Sequence, residues 1–305
     1  MNMFGFGKSG DALVEIFLDD NGRKAAQVKD RMSKDPETSQ KLNVFQADDK
    51  VTGRIEIKLD KKRRLDHNGI KIELLGLIET NNDKILGSTF MSNATDLESP
   101  GSLSNDQLYP FTFAVFQKPY DSYYGQSVKL RYVVRATISR GKMSGNIVKE
   151  QDLYVIAKAE TGDFESVPIK MEVGIEDCLN ININIPKNVF GLKDCILGQI
   201  TFGQVKVQVQ KMELNLVRKE TLGSGESAIT TVDEFHSFEI MDGCPSKAEE
   251  IPVRMFLGGV TDLTPTMTGI NNKFSVKYFL NLVIIDDLKR RYFKQSEIRL
   301  IREAA

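Results

Sequence analysis

The sequence is poor in the residues that most often carry chemistry: its 305 residues include no tryptophan, two histidines and three cysteines. Histidine is the usual general base at neutral pH, so its scarcity argues against acid–base and nucleophilic catalysis. The cysteines are odd in number and widely spaced, which fits neither a disulfide framework nor a zinc site. We therefore expect no catalytic residue, no metal and no cofactor, and reduced thiols as in a cytosolic protein.

The sequence also shows no pattern typical of a membrane-spanning helix or of a secretory signal peptide. No apolar run approaches the roughly 18 residues that a membrane-spanning helix needs, and the N-terminus lacks the basic and apolar segments of a signal peptide. Lysine and arginine number 41 against 42 acidic residues, which gives a net charge of −1. Because nucleic-acid binding depends on clustered positive charge, we expect a soluble cytoplasmic protein with no nucleic-acid partner.

Three short phrases in the first half of the chain recur in the same order in the second half. The phrase at 51–57 is matched at 196–202, that at 71–74 at 211–214, and that at 127–129 at 275–277. The offset is nearly constant, as expected if one module of roughly 150 residues is used twice. The length of the chain also fits two domains.

Period-2 alternation dominates the sequence, and helical periodicity is nearly absent. At 128–138 the even positions are apolar and most odd positions are polar, which predicts a half-buried strand. Its counterpart at 276–285 is apolar on both faces, which predicts a central strand. Between 205 and 216 the apolar positions change phase after Val209, as a β-bulge inside one strand would produce.

Turn signals separate many short strands, which is the pattern of a β-sandwich or β-barrel. We predict strands near 11–18, 42–46, 51–59, 69–79, 86–91, 109–116, 127–139, 147–156, 168–176, 179–185, 195–202, 204–218, 229–239, 250–257, 273–285 and 290–301. A polar, glycine-containing stretch before Pro168 divides the halves. The predicted organisation is an N-terminal domain at 1–157, a linker at 158–168 and a C-terminal domain at 169–305.

Two motifs suggest phosphate or membrane binding. Gly5–Gly10 satisfies G-x-G-x-x-G by letter, but no strand precedes it and Asn2 stands where a P-loop needs glycine. We therefore interpret it as a flexible or strand-leading N-terminus. The basic run Lys61–Arg64 is predicted to cap a hairpin between the strands at 51–59 and 69–79. A solvated turn and contact with an anionic membrane both stay open for this run.

The two histidines are both interpreted as surface residues with satisfied hydrogen bonds. His67 lies between Asp66 and Asn68 in a predicted turn, and His236 lies in the polar phase of a predicted strand. A general base must lie within hydrogen-bond reach of the proton that it abstracts, and no nucleophile is predicted near either residue. We therefore expect neither histidine to be catalytic.

One short apolar sequence is a candidate binding surface. Phe238 and Ile240 finish an alternating strand, and Met241 follows directly before a loop that begins at Asp242. Because adjacent side chains of a strand point to opposite faces, one of Ile240 and Met241 must leave the core face at a loop tip. The pattern therefore marks Ile240 and Met241 as a candidate partner contact.

Several longer phrases are similar to one protein family. They lie at 67–73, 118–123, 169–179, 239–243, 264–267, 272–276 and 291–295. Together they resemble the vacuolar protein sorting-associated protein 26 family, the arrestin-like subunit of the endosomal retromer coat. The likeness covers nearly the whole chain, is stronger after residue 165 and is weakest across 80–108.

The resemblance implies an all-β fold of two arrestin-like, immunoglobulin-like sandwiches in tandem, with no enzymatic activity. It implies a trimeric core in which the C-terminal sandwich binds one end of a large α-solenoid subunit, while a metallophosphoesterase-like subunit is contacted only indirectly. The solenoid-binding pair of the family falls on Ile240 and Met241. The expected location is the cytoplasm, with peripheral recruitment to the cytosolic face of endosomes.

The same resemblance implies a second site. A phosphoinositide-binding sorting nexin of this family docks near the junction of the sandwiches and holds cytoplasmic tails of transmembrane cargo by strand addition. The family's pocket residues fall on Val173 and Phe293. A third, apolar pocket position falls on or next to Lys158, so the resemblance leaves the preferred cargo open.

Two other interpretations stay open at this point. One is a free arrestin-type adaptor that binds receptor tails directly, which would not co-purify with a large helical partner. The other is an enzyme or sugar-binding module on a sandwich scaffold, which would need a concave cluster of aromatics or carboxylates. The absence of tryptophan and the scarcity of histidine count against this second interpretation.

Overall fold

A computed structural model describes residues 12–33, 35, 39–60, 64–81, 88–114, 117–141, 144–160, 162, 164–175 and 178–303. The chain divides into two compact units, Met1–Lys158 and Ala159–Ala305. The motif at Gly5–Gly10 and the first three residues of the basic run at 61–64 lie outside the described residues. That 158–168 acts as a linker stays a prediction.

The regular secondary structure in the described part of the N-terminal unit is mainly β-strand. The strands of this unit are β1 (Ala12–Leu18), β2 (Ala25–Lys29), β3 (Ser39–Gln46), β4 (Val51–Leu59), β5 (Leu65–His67), β6 (Ile70–Thr80), β7 (Ser88–Glu98), β8 (Gly101–Leu103), β9 (Gln107–Phe113), β10 (Tyr123–Tyr124), β11 (Val128–Ile138) and β12 (Ile147–Ile156). A three-stranded sheet has the order β1-β4-β9, and a larger sheet has the order β2-β3-β12-β11-β6-β7, with β10 beside β11. Strands β5 and β8 form a separate pair.

The C-terminal unit repeats this plan. Its strands are β13 (Ile169–Ile175), β14 (Leu179–Ile185), β15 (Val189–Gly191), β16 (Cys195–Val205), β17 (Val209–Leu222), β18 (Ile229–Asp242), β19 (Glu250–Phe256), β20 (Met267–Ile270), β21 (Phe274–Asp286) and β22 (Arg291–Ile301). One sheet has the order β13-β14-β16-β19, and the other has the order β15-β22-β21-β17-β18, with β20 beside β21. The described residues of both units contain no α-helix.

Alternation along the strands places apolar side chains between the two sheets of each unit. In β4, Ile55 and Ile57 are fully buried, and in β21 the same is true of Leu280 and Leu282. Buried aliphatic and aromatic side chains of this kind supply the main favourable free energy of folding. The predicted fold class, all-β with two arrestin-like sandwiches in tandem, is confirmed.

The repeated phrases occupy equivalent strands. The phrases at 51–57 and 196–202 form β4 and β16, each of which lies between two antiparallel neighbours. Within them, a side chain at Gly53 would overlap the carbonyl oxygen of Phe17, and one at Gly198 would lie 2.7 Å from Ile185 Cγ1. Both glycines are therefore required by close approach of the neighbouring strand. Each unit also contains one parallel pair, β3–β12 and β15–β22.

Several local predictions are confirmed and others are wrong. The bulge is present, since Gln210 is the extra residue between the paired positions Val209 and Lys211, and β21 is central as predicted. The single strand predicted at 204–218 is instead the end of β16 and the start of β17. The hairpin predicted around Lys61–Arg64 is wrong, because β4 and β6 belong to different sheets.

The prediction that His67 lies on the surface is also wrong. His67 belongs to β5 and is only 4% exposed, whereas His236 is exposed as predicted. The Nδ1 atom of His67 accepts a 3.3 Å hydrogen bond from the backbone of Gly69, and its Nε2 lies 3.7 Å from Glu98 Oε1. The flanking polar residues suggested a solvated turn, but pairing of β5 with β8 covers the ring.

Candidate functional site

Ile240 and Met241 lie at the end of an edge strand, in a β-bulge. Strand β18 pairs only with β17, with Met241 opposite Met212 and Glu239 opposite Glu213, so Ile240 is an extra residue. Both Ile240 and Met241 are half-buried. The sequence argument was wrong in placing one of them at a loop tip, because β18 continues to Asp242. A bulge re-aims side chains, and it leaves both residues partly accessible at the end of the sandwich.

Ion pairs and backbone hydrogen bonds fix the surroundings of this bulge. Lys211 Nζ lies 2.6 Å from Glu213 Oε1 and 3.1 Å from Glu239 Oε2. The hydrogen bond to Glu213 is the main cause that raises the pKa of the Lys211 ammonium. After the strand, the backbone of Gly243 donates to the carbonyl of Gln210 at 2.9 Å. Contacts with β17 therefore hold the chain both before and after the bulge.

The loop that follows is anchored at its far end as well. Pro245 is buried, and the backbone of Ala248 donates to the carbonyl of Phe202 in β16 at 2.7 Å. Gly243 has a φ of 111°, a conformation that L side chains rarely adopt. The loop thus leaves β18 along a path that is fixed at both ends by backbone hydrogen bonds.

Val173 and Phe293 lie on neighbouring strands of the C-terminal unit. Val173 is 7% exposed and faces the core from β13, whereas Phe293 is 74% exposed on the outer face of β22, opposite Val283. Strand β13 packs close to β22 without backbone pairing between them. Of the two residues, Phe293 offers the accessible apolar surface.

Strands β21 and β17 separate this pair from Ile240 and Met241, since β22 and β18 are not neighbours in the sheet order. The structure therefore does not gather the predicted site residues into one cluster. The third predicted pocket residue, Lys158, lies in the N-terminal unit, where its Nζ is 4.0 Å from Asp48 Oδ2 and its side chain is largely exposed.

The free edges of the C-terminal sheets differ in regularity. Strand β18 carries bulges at Phe235 and Ile240, and β19 contains Pro252, features that discourage pairing with a further strand. Strand β13 pairs with β14 in an unbroken register from Ile169 to Ile175. A shallow groove of about 360 Å³ lies over the paired strands β13 and β14, and not along the free edge of β13. Among these edges, β13 is the one suited to strand addition.

Sequence reasoning missed a buried polar cluster in the C-terminal core. Arg218 is 1% exposed; its Nη2 lies 2.7 Å from Asp233 Oδ2, and its guanidinium stacks over Phe235. Burial raises the pKa of the nearby Tyr278, whose hydroxyl lies 3.0 Å from Thr264 Oγ1. The available signal was the arginine itself, at a position where the alternation of β17 requires an apolar residue.

Within the described ranges, no three histidine, cysteine or acidic side chains come together in a way that could hold a metal ion. In the same part of the chain, no helix has the length and apolarity needed to cross a membrane. The accessible apolar side chains described above, Ile240, Met241 and Phe293, lie on strands of the C-terminal unit.

Comparison with known proteins gives one consistent result. Residues 6–289 match the family described as vacuolar protein sorting-associated protein 26. The chain is 44% identical to vacuolar protein sorting-associated protein 26B of Mus musculus and of Homo sapiens, over 99% of this chain and 88% of each relative. It is 43% identical to a 26B-like protein of Danio rerio, over 99% of this chain and 90% of that relative.

Proposed function

The chain belongs to the vacuolar protein sorting-associated protein 26 family, and from this premise we propose that it is the noncatalytic, arrestin-like subunit of a retromer coat. In this role it links a large α-solenoid subunit to a phosphoinositide-binding sorting nexin and to the cytoplasmic tails of transmembrane cargo. The metallophosphoesterase-like subunit is reached only through the solenoid. The protein acts in the cytoplasm and is recruited peripherally to endosomes.

The bulge at Ile240 and Met241 is the observation that carries the proposed scaffold contact. Two apolar side chains are half-exposed at the end of a strand whose irregular edge discourages strand addition. A helical partner binds through side chains in this situation, because a helix offers no free backbone groups to a sheet edge. Apolar anchors of this kind usually supply most of the affinity of an interface.

Co-purification with the solenoid subunit tests this contact. We expect Met241→Asp to keep the fold and abolish capture, because a buried carboxylate without a partner is strongly disfavoured in an interface. Val232→Asp is the matched control, since Val232 is an exposed apolar residue of the same strand. Equal capture of wild type and Met241→Asp would contradict the proposal, and no capture of the wild type would favour the free adaptor.

For cargo, we propose that an extended tail adds to the free edge of β13 and that Phe293 contacts one of its apolar side chains. The unbroken register of β13 and the exposure of Phe293 support this assignment. Val173 contributes from beneath as part of the core packing of β13. Backbone hydrogen bonds would supply affinity, and the apolar contact would supply selectivity.

A further inference from the structure

A groove crosses the end of the large C-terminal sheet next to the bulge at Ile240 and Met241. Its volume is about 400 Å³, and it is lined by Gln210, Lys211, Asp242, Ile285, Lys289 and Arg291. The register explains this arrangement, because Arg291 pairs with Ile285, Ile285 with Lys211, and Lys211 with Asp242. The groove is thus one row of side chains that runs across β22, β21, β17 and β18.

The cations of this row differ in how they are neutralised. Lys211 is held by two carboxylates, as described above, and contributes little free positive charge. Lys289 Nζ donates to the neutral amide oxygen of Gln210 at 2.6 Å, so its charge is not compensated by that contact. Arg291 is exposed and forms no ion pair with the described residues, whereas the adjacent Arg290 is bound to Asp286.

The two ends of the groove carry opposite charges. Two uncompensated cations, Lys289 and Arg291, lie at the end formed by β21 and β22, and the carboxylate of Asp242 lies at the β18 end. Ile285 is half-buried between them and gives the row an apolar centre. A ligand of this groove therefore needs a negative charge near Lys289 and Arg291 and no negative charge near Asp242. A carboxylate fits the first requirement, because the guanidinium of Arg291 can bind it through two parallel hydrogen bonds.

We propose that this groove binds a carboxylate-bearing segment of the same helical partner that contacts Ile240 and Met241. The inference rests on the proposed scaffold function and adds the chemistry of a second part of that interface. Position supports it, because the row and the bulge lie at the same end of β17 and β18: Met241 pairs with Met212 on the core face, and Asp242 pairs with Lys211 on the outer face, so a partner that covers this end of the sheet meets both. Charge complementarity supplies orientation and faster association at the rim of an apolar contact.

The test combines charge reversal with a salt series. The double variant Lys289→Glu and Arg291→Glu is expected to bind the solenoid subunit roughly tenfold more weakly than wild type at low salt, with most of the difference lost at high salt. Lys294→Glu is the control, because it makes the same change on the opposite face of β22. Thermal melting of each variant checks folding, and the single variant Arg291→Gln, which adds no charge, should give a smaller loss.

Three outcomes would each contradict the groove proposal or the proposed scaffold function. If the double variant binds like wild type at every salt concentration while Met241→Asp abolishes binding, the groove inference fails and the scaffold contact stands. If Met241→Asp also binds like wild type, the proposed function itself fails. If the double variant keeps its affinity for the solenoid but loses binding to vesicles that contain an anionic phospholipid, the groove is a lipid site and the inference is overturned.

Discussion

The two units share the order and register of their central strands, although each also has a sheet strand that the other lacks, and they place their charged side chains differently. In the N-terminal unit the pair Ile78 and Leu130 faces the core, and in the C-terminal unit the equivalent pair is Arg218 and Tyr278. The N-terminal unit instead carries its main charge cluster around Arg131, on the outer face of β11. A β-sandwich can therefore keep the same strand pairing while charged side chains lie on the outer face in one unit and on the core face in the other, provided that each buried charge has a partner.

The edge strands β7 and β18 show a second difference. Both carry a bulge with phenylalanine as the extra residue, Phe90 in β7 and Phe235 in β18. In β18 a further bulge places Ile240 and Met241 at the strand end. In β7 the residue at the position of Met241 is the exposed Thr95, opposite Ile72. In β7 the second bulge is instead at Leu97, two register positions away, so the half-buried apolar pair at this position is found in the C-terminal unit.

The largest expected effect tests the exchange of polar groups. We expect Arg218→Leu to lower the free energy of unfolding by about 3–5 kcal/mol, because it removes one half of a buried ion pair, the guanidinium that lies 2.7 Å from the Asp233 carboxylate. Arg131→Leu should cost less, about 1–2 kcal/mol, because Arg131 is 16% exposed, Lys129 stays beside Glu79 and Arg135 stays beside Glu150. Urea unfolding measures the free energy of unfolding of both variants, and equal losses would contradict the predicted difference between Arg218 and Arg131.

The repeated glycines give the next effect. Gly53→Ala should destabilise the protein by about 2–4 kcal/mol, because the new methyl group meets the backbone of Phe17. Gly198→Ala should cost roughly half as much, because its nearest neighbours, Ile185 Cγ1 at 2.7 Å and the carbonyl oxygen of Asn184 at 3.0 Å, overlap the new methyl group less than the carbonyl oxygen of Phe17 does at Gly53. Gly141→Ala is the control, since no atom lies within 4 Å of the added methyl group. Hydrogen exchange of each unit would report where the loss occurs.

Phe293 tests whether the outer face of β22 has a binding role that its N-terminal counterpart lacks. Phe293→Ala should weaken recruitment of a cargo tail by about tenfold and leave assembly with the solenoid unchanged. Because Phe293 is largely exposed, its removal should alter stability by less than about 0.5 kcal/mol. Loss of solenoid binding together with cargo binding would show that Phe293 supports the fold instead.

The smallest expected effect concerns the hairpins that join the last two strands of each unit. Burial opposes ionisation of Asp286, but hydrogen bonds from Arg290 and Tyr292 outweigh it and lower the pKa of this carboxyl below its ordinary value of 3.8. Its stabilising effect is therefore present above that value and is lost as the pH falls through the folded-state pKa. The equivalent N-terminal hairpin uses Asn146, which does not titrate.

We therefore expect Asp286→Asn to reduce the acid sensitivity of the C-terminal unit and to leave the N-terminal unit unchanged. Unfolding followed from neutral pH to below pH 3.8, with hydrogen exchange to separate the units, measures this. Asp287→Asn is the matched control on the same turn. If wild type and Asp286→Asn lose stability equally on acidification, the hydrogen-bonded carboxylate is not the cause.

The sequence predicted the strands that alternate strongly and missed those that do not. Strand β11 was predicted nearly to its ends because its apolar positions follow one phase, whereas β2 is short and was missed. The bulge at Gln210 was visible as a phase change. The bulge at Ile240 was not recognised, because two adjacent apolar residues also fit a strand that ends. Buried groups such as Arg218 depend on partners from other strands, which alternation along one strand does not reveal.

The dissociation constant of the complex with the solenoid subunit, measured for a pair of equivalent substitutions, tests the central claim most directly. Met241→Asp and Thr95→Asp introduce the same carboxylate at the same register position of the two copies. We predict that Met241→Asp abolishes measurable binding and that Thr95→Asp leaves the dissociation constant within about twofold of wild type. Equal affinities for the two variants, or a larger loss for Thr95→Asp, would contradict the assignment of the contact to the C-terminal unit.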